Sequence, residues 1–410
     1  MPDADWFARA LTFAATLYVV LSAVIIAERI RYDRRRRLYA RIARLVDAPV
    51  APLDRPALQS QVSGVLRGWP LRAIERSMAE GHATGAALHA CAAWLLERLG
   101  EPRLRARAAP GASRWRRIAA LRILALARAE PAWELLALAV ADDDPEVVMG
   151  AVVILGQIHH RRSAELLVQV LRDGRHPRSQ TAVLIQACPG EIGDLLTSLL
   201  DEEDPALRYW GTVLAARHPP VRDAEERLIA LAGDVEPSVR KGALDSLGAG
   251  GFLAAIPVVL KRLDDPVPFV RAHAARALGQ LGVIDAASVL VGRLGDGDWW
   301  VRDAVKRSLV TLGRRVESAL FAQLSDADAF ARNGAAEVLQ HLGTFERLLV
   351  EEAKGPPDAR RQAALAKLAD AGGLRVWEAV LAHLPEETRR GMSATLEMLE
   401  RRAAGAEARS

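Results

Sequence analysis

The chain has 410 residues, of which 50% are apolar and 26% are charged, a composition typical of folded proteins that excludes disorder over most of its length. Its two cysteines, Cys91 and Cys188, exclude a disulfide framework and a cysteine-rich zinc site. The formal net charge of +4 is unevenly distributed, because residues 51–128 carry 13 basic and 5 acidic side chains, whereas residues 129–410 carry 33 and 41.

The first predicted element is a transmembrane helix at residues 7–27, which follows a short extracytoplasmic segment, residues 1–6. Residues 10–27 contain no charged side chain, and about 20 apolar residues in helical conformation cross the hydrocarbon core of a bilayer. A cleaved signal peptide and a buried core helix are the alternatives. The acidic start of the chain argues against the first, and the absence of polar interruptions argues against the second.

Residues 28–46 predict a basic juxtamembrane helix. The 50 arginines against 5 lysines indicate a GC-rich, bacterial genome, and the positive-inside rule places the solenoid side of the span in the cytoplasm, below the inner membrane. We expect this helix to lie on anionic lipid headgroups, each nearby arginine contributing about 1 kcal/mol; alternatively, the arginines only fix the topology. The candidate membrane-surface residues are Arg29, Arg31, Arg34, Arg35, Arg36, Arg37, Arg41 and Arg44.

Two segments separate this helix from the repeats described below. Residues 47–56 contain three prolines and predict a stiff linker. Residues 57–112 predict a helical N-terminal cap region. Nine arginines lie between Arg98 and Arg128, so a nucleic-acid backbone or a lipid would find its basic surface there. Because the rest of the chain is acidic, nucleic acid is not the expected partner.

A repeat of about 30 residues fills residues 113–370. Its best copy, residues 264–282, has an acidic turn with proline, a Val-Arg pair, then alanine and leucine at helical spacing before a final glycine. Aligning the copies on the arginine gives positions 208, 240, 271, 302, 332 and 361, separated by 32, 31, 31, 30 and 29 residues. Such a unit is a helix, a turn and a second helix that buries its apolar faces only by stacking. The sequence therefore predicts an all-α solenoid, closed by capping helices and a tail at residues 371–410.

The pattern of Asp-Pro, Val-Arg, Ala and Leu-Gly in residues 264–282 resembles the HEAT-like repeats of the phycobilisome-lyase type. The resemblance implies a superhelix of helix pairs. It is specific for fold and weak for function, because such repeats occur in bilin lyases, in scaffolds and in many other bacterial proteins.

The repeated charges have a structural explanation. An acidic residue lies six positions before the arginine in five units, where it can accept hydrogen bonds from amides at the start of the second helix. The arginine can in turn reach a carboxylate of the neighbouring unit, which predicts a ladder of ion pairs along the stack. The acidic residues are Glu202, Asp234, Asp265, Asp296 and Asp326.

No catalytic, metal or cofactor site is expected. Deoxyhypusine hydroxylase, a di-iron HEAT enzyme, uses His-Glu pairs, and none of the nine histidines here precedes a glutamate. His159 and His160 are adjacent, so a helix would point them about 100° apart, which disfavours a shared metal. Cys91 and Cys188 lie in apolar surroundings that favour core packing over a nucleophilic role.

The expected activity is therefore binding: a membrane-anchored, non-catalytic scaffold or adaptor for a membrane-associated protein partner. Resemblance to other anchored HEAT-repeat proteins implies an accessory of a membrane glycosyltransferase in exopolysaccharide production. The alternatives are a bilin-lyase-like enzyme and a basic-face lipid or nucleic-acid binder. The candidate partner-binding residues occupy columns of the second helices outside the core and include paired aromatics, namely Tyr209, Trp210, Asp245, His273, Arg276, Trp299, Trp300, Arg307 and Glu337.

Overall fold

The computed structural model describes residues 16–30 and most of residues 86–370, and every regular element in these ranges is a helix, as predicted. The gaps in the second range are residues 131, 159, 189–191, 218–221 and 355–357, and the single positions described elsewhere are residues 32, 33, 37, 63, 64, 66, 386 and 397. The chain divides into two compact units, Met1–Gly190 and Glu191–Ser410, which we call unit 1 and unit 2.

Unit 1 contains seven helices within its described part from residue 86 onward. In the second half of the unit they form helix pairs, with a first helix that precedes the acidic or polar turn and a second helix that follows it. The helices are α1 (Ala86–Leu99), α2 (Glu101–Ala108), α3 (Arg114–Leu126), α4 (Ala132–Val140), α5 (Pro145–Ile158), α6 (Arg161–Asp173) and α7 (Arg178–Gln186).

Unit 2 continues with six helix pairs in its described part. The second helices α9, α11, α13, α15 and α17 pack side by side in this order. The helices are α8 (Gly193–Leu200), α9 (Pro205–Ala215), α10 (Arg222–Leu231), α11 (Pro237–Ala249), α12 (Ile256–Arg262), α13 (Pro268–Gln280), α14 (Ala287–Gly292), α15 (Trp299–Leu312), α16 (Glu317–Gln323), α17 (Ala329–His341), α18 (Thr344–Lys354) and α19 (Ala359–Asp370).

Local sequence sets the ends of the second helices. Asp204, Asp298 and Asp328 each precede such a helix, and the side-chain oxygen of each accepts a hydrogen bond from the amide two residues later. At the other end of α13, Gly282 has a φ of +68°, a left-handed backbone conformation that glycine adopts without steric cost.

The core of unit 2 is built from the predicted repeat columns. The leucine seven positions after each repeat arginine is fully buried in four successive second helices, at Leu247, Leu278, Leu309 and Leu339. Small residues let these helices approach closely. A Cβ atom on Gly279 of α13 would lie 2.8 Å from the Cβ and 2.9 Å from the Cα of Ser308 in α15.

Ion pairs join consecutive units as the sequence predicts. Arg240 binds Asp265 of the next unit through both edges of its fork, with Nε–Oδ2 and Nη2–Oδ1 distances of 2.9 and 2.8 Å. Its Nη1 donates to the carbonyls of Asp234 and Val235 in its own turn. Arg208 binds Asp234 and Arg271 binds Asp296 in the same bidentate way. We call each such pair a rung.

The carboxylate of each rung also shapes the turn that carries it. Oδ1 of Asp234, Asp265 and Asp296 accepts the amide two residues later, at 2.8 to 3.0 Å. Asp326 makes the same turn bond. In the first of the five units, the backbone carbonyl of Glu202 accepts a hydrogen bond from Arg208, as the carbonyl of Asp234 does from Arg240. One aspartate therefore fixes a turn and holds the preceding unit.

Most of the N-terminal predictions concern residues that the structure does not describe, including residues 7–15 of the predicted span and the linker at 47–56. The same holds for nearly all of residues 371–410. Residues 16–30 are helical. In the part of the chain that the structure describes, no helix has both the length and the apolar character needed to cross a membrane.

Removal of one rung should destabilise the protein strongly. Arg240 and Asp265 are both buried, so Asp265→Ala leaves an uncompensated cation, and we expect the free energy of unfolding to fall by about 3–5 kcal/mol. The exposed pair of Arg105 with Glu134 supplies the control, because Glu134→Ala should cost less than about 1 kcal/mol. Urea unfolding followed by far-UV circular dichroism measures both. Equal effects would contradict a structural role of the rung.

The close helix contact predicts opposite effects for one substitution at two helical glycines. Gly279→Ala should lower the free energy of unfolding by about 1–3 kcal/mol, because its Cβ collides with Ser308. Gly292→Ala meets no atom within 4 Å and should be neutral or raise it by up to about 1 kcal/mol. Thermal unfolding of the two variants decides, and a gain at Gly279 would show that α13 and α15 are not in contact.

Candidate functional site

The solvent side of the second helices in unit 2 forms one row of polar and aromatic side chains, which we call the exposed stripe. Its residues lie two positions before, one or two positions after, and five positions after each repeat arginine. Because these offsets repeat every three or four residues, they occupy one face of each helix. The predicted partner-binding residues all fall on this stripe or directly beside it, in α9, α11, α13, α15 and α17.

A charge cluster occupies the middle of the stripe. The carboxylate of Asp245 in α11 accepts a hydrogen bond from Nδ1 of His273 in α13. Two cations face the same carboxylate, since Nζ of Lys241 lies 3.4 Å from its Oδ2 and Nη1 of Arg276 lies 3.8 Å from its Oδ1. Nζ of Lys241 also lies 5.8 Å from the ring centroid of Tyr209 in α9. The structure thus brings together five residues of the stripe from three helices that are far apart in sequence.

The electrostatics of this cluster hold Asp245 ionised. Burial alone would raise the pKa of its carboxyl, but the hydrogen bond from His273 and the charges of Lys241 and Arg276 outweigh burial and lower it. The rung carboxyls behave alike. The pKa values of Asp265 and Asp296 are lowered because bonds from their arginines outweigh the effect of burial.

Charged pairs continue the stripe toward the C-terminus. Arg307 binds Asp303 within α15 at 3.0 Å, and Lys306 of α15 binds both oxygens of Glu337 in α17 at 2.9 and 2.7 Å. Arg307 and Glu337 are both exposed. They remain reachable by a partner, whereas the rung arginines are occupied.

The two predicted aromatic pairs differ in exposure. Tyr209 and Trp210 are half-buried and meet edge to face at a centroid distance of 5.2 Å, with Tyr209 packed against the core. Trp299 and Trp300 also meet edge to face, at 4.8 Å, but are 54% and 67% exposed. The expectation of an exposed aromatic pair therefore fits the second pair better than the first.

Two further exposed aromatics were not selected from the sequence. Phe269 is 44% exposed and Phe330 is 60% exposed. Together with Trp300, each lies two positions before a repeat arginine, at the start of the consecutive second helices α13, α15 and α17. The repeat alignment contains this signal, because the three positions coincide once the arginines are superimposed.

The ladder ends at this aromatic row. Arg302 makes no bond to Asp326 among the described contacts; its Nη1 donates to the carbonyl of Asp296, and its guanidinium lies 4.3 Å from the ring centroid of Phe330. The spacing from arginine to the next aspartate is 26, 25 and 25 residues in the three rungs but 24 here. Where the segment between arginine and aspartate is one residue shorter, a cation–π contact therefore stands in place of the ion pair.

The two cysteines and His160 make contacts that belong to the fold. Cys91 and Cys188 are buried, and burial raises the pKa of the Cys91 thiol to about 12 and that of Cys188 above its usual value. His160 caps α6 by accepting the amide of Arg162, and its ring lies 5.1 Å from that of Trp133; His159 lies outside the described residues. Where the structure describes the chain, no three His, Cys, Asp or Glu side chains cluster for a metal ion.

Unit 1 contains a pocket of about 300 Å³ between the end of α3, the start of α4 and the end of α5. Arg128, Glu130, Trp133 and His160 line it. Arg128 has a φ of +60° and is the only non-glycine residue with a positive φ in the described chain. Glu130 supplies the one carboxylate among the lining residues, and Trp133 supplies an aromatic ring.

The basic stretch of unit 1 is partly consumed by internal contacts. Arg117 is buried and binds Asp142, and Arg122 is buried and donates to Gln157. Arg98 stacks on Trp94. The buried Arg117 and Arg122 are therefore not available to phosphates, whereas Arg98 is exposed. Of the candidate membrane-surface arginines, Arg29 and Arg37 are described and exposed, and the others lie outside the described residues.

Residues 192–279 and 224–310 match the family model of HEAT repeats. This match confirms HEAT repeats in residues 192–310, the first part of unit 2; the phycobilisome-lyase type of repeat stays a prediction. No curated protein sequence matches the chain significantly.

Three solved structures illustrate the similarity. An engineered protein is 18% identical over 88% of this chain and 99% of its own, with a TM-score of 0.38. The complex of CpcE and CpcF of phycocyanin lyase from Nostoc sp. is 21% identical over 53% and 96%, with a TM-score of 0.32. Human deoxyhypusine hydroxylase is 20% identical over 61% and 99%, with a TM-score of 0.27. At these sequence identities and TM-scores, no substrate or partner of these proteins can be assigned to this chain.

The lowered carboxyl pKa values predict acid sensitivity. A carboxyl whose pKa is lower in the folded state contributes stability above its unfolded pKa of about 4 and loses it as the pH falls through the folded value. We expect the midpoint of urea unfolding to change little between about pH 7 and 5 and to fall steeply below about pH 4. The double variant Asp265→Asn with Asp296→Asn should start lower and fall less. If the urea midpoint of this variant falls below pH 4 as steeply as that of the wild type, Asp265 and Asp296 are not the source of the acid sensitivity.

Proposed function

We propose that the protein is a non-catalytic scaffold that binds a membrane-associated protein partner through the exposed stripe. The observation that carries this proposal is that the repeated side chains form two sets, one bound within the repeats and one exposed to solvent. The rung residues, which recur in register, are engaged with one another. The stripe adds charged and aromatic side chains, such as Arg276, Trp300 and Arg307, that no packing requirement explains.

We further propose that residues 7–27 anchor the chain in a bacterial inner membrane, with the repeats on the cytoplasmic side. The side chains of Tyr18, Val19, Val20 and Leu21 are all exposed, and four consecutive helical positions cover the whole circumference of a helix at about 100° per residue. A helix that is apolar on every side needs an apolar environment. The exposed Arg29 follows it, as the positive-inside rule requires.

Anchoring would strengthen a modest interaction, because confinement to the membrane raises the local concentration of a membrane-bound client. A membrane glycosyltransferase of exopolysaccharide production is the client class that the sequence resemblance implies. Anionic headgroups near residues 29–44 would support the same orientation.

The anchor is tested with the full chain produced in bacterial cells. The wild-type protein should sediment with membranes and resist extraction by alkaline carbonate. Val20→Asp combined with Val24→Asp should move it to the soluble fraction, because charges at the centre of a span are costly. Leu138→Asp, at an exposed position of α4, is the matched control and should stay with the membrane. A wild-type protein that is soluble before extraction would rule out the anchor.

Partner binding is tested by photocrosslinking in cells that naturally produce the protein. A photoreactive residue at position 276 of the stripe should form one discrete adduct, and one at the exposed position 253 outside the stripe should not. Arg307→Glu should reduce the adduct at least fivefold without changing the helical content. Equal labelling from both positions would contradict a client surface on the stripe.

A further inference from the structure

The start of α13, α15 and α17 carries an aromatic row that the ladder does not use. Phe269, Trp300 and Phe330 occupy one repeat position on three neighbouring helices, and Trp299 adds a fourth ring beside Trp300. All four side chains are between 44% and 67% exposed. We call this row the aromatic ridge. Exposed aromatics in contiguous register are typical of interaction surfaces.

The charge beside the ridge is negative. The turns that precede α15 and α17 contain Asp298, Asp326 and Asp328. Each of these carboxylates accepts a backbone amide, and within the described contacts none forms an ion pair. In the same turns Asp296 is neutralised by Arg271. Two ladder arginines lie beside these carboxylates without an ion pair in the described chain. Arg302 is covered by Phe330, and Nη1 of Arg332 donates to the carbonyls of Asp326 and Ala327.

This charge separates two possible occupants of the ridge. Exposed tryptophans also occur at membrane interfaces, but the carboxylates of Asp298, Asp326 and Asp328 outnumber the guanidiniums of Arg302 and Arg332 beside them, and this excess would repel anionic headgroups. A protein segment that carries arginine or lysine would be attracted by the same carboxylates, and its guanidinium groups could also stack on the indole rings. Charge complementarity therefore favours a basic protein segment.

The spacing of the ridge points to the conformation of that segment. Neighbouring packed helices lie about 8–10 Å apart, so aromatics at one register on α13, α15 and α17 repeat at about that interval. A polyproline II helix repeats every three residues, or about 9.3 Å. Aromatic surfaces of this kind recognise proline-rich segments because the polyproline conformation is already ordered before binding.

We propose that the aromatic ridge binds a proline-rich, arginine- or lysine-containing segment in polyproline II conformation, one apolar residue in three meeting a ring of the ridge. The inference rests on the proposed role as a binding scaffold and names one of its docking sites. It is separable from that role, because the crosslink at position 276 probes the middle of the stripe and not the ridge.

The test uses the full-length protein in a non-ionic detergent and a fluorescein-labelled peptide of four Pro-Pro-Arg repeats, followed by fluorescence anisotropy. We expect saturable binding in the micromolar range. Trp300→Ala combined with Phe330→Ala should weaken it at least tenfold, whereas Trp115→Ala, which removes an exposed tryptophan of unit 1, should leave it unchanged. A peptide of four Gly-Ser-Arg repeats, with equal charge but no polyproline preference, should bind at least tenfold more weakly.

The electrostatic part has its own variant. Asparagine caps helices about as well as aspartate, so Asp298→Asn with Asp326→Asn and Asp328→Asn removes charge and keeps the turns. It should weaken binding of the Pro-Pro-Arg peptide at least threefold and flatten its salt dependence, and a Pro-Pro-Glu peptide should not bind the wild type. Equal binding of the Gly-Ser-Arg peptide, or no effect of the ridge variants, would overturn the proposal.

A membrane role of the ridge is the remaining outcome. Vesicles of phosphatidylcholine with phosphatidylserine are mixed with the Val20→Asp, Val24→Asp protein, which needs no detergent, and its co-sedimentation is compared with that of the same protein carrying Trp300→Ala and Phe330→Ala. We expect no difference. A loss of sedimentation in this variant, without binding of the Pro-Pro-Arg peptide to the wild type, would reassign the ridge to lipid.

Discussion

The bidentate pair between a repeat arginine and the aspartate of the next unit is the interaction on which unit 2 depends. Arg208, Arg240 and Arg271 each link three structural elements. These are the second helix that carries the arginine, the turn of its own unit and the carboxylate in the turn of the next unit. The aspartate in turn fixes the turn that starts a second helix. Local and neighbouring structure are thereby coupled, which is what a stack of units that are individually too small to fold requires.

This coupling separates structural charges from available ones. The residues of the ladder cannot recognise a partner without losing their structural role, and the cost of breaking a buried pair is large. The stripe residues have no such constraint, since Arg276 and Arg307 sit at the solvent end of their contacts. Among the repeated side chains of the second helices, those of the stripe and of the aromatic ridge are therefore the ones available to a binding surface.

The sequence predicts the repeat, the ladder and the buried leucine column, because all three follow from a single period and from the chemistry of carboxylate and guanidinium. It does not predict which aromatics outside the core columns are exposed to solvent. Tyr209 is half-buried because the core reaches it, and this depends on helix packing that spacing alone does not reveal. Phe269 and Phe330 were missed because they were judged as single residues, although the register of the arginines relates them. The pairing of Asp245 with His273 across two helices also depends on the packed geometry.

The shortened spacing before Asp326 has a mechanical meaning. In an array whose cohesion comes from contacts between adjacent repeats, rupture begins where one such contact is poorest. Arg302 meets a ring and not a carboxylate, so the junction between α15 and α17 lacks the bidentate ion pair of the three preceding junctions. We expect it to open more readily than those three, and Phe330 lies on the side that would separate from them. A partner bound beside that ring would then hold this junction closed.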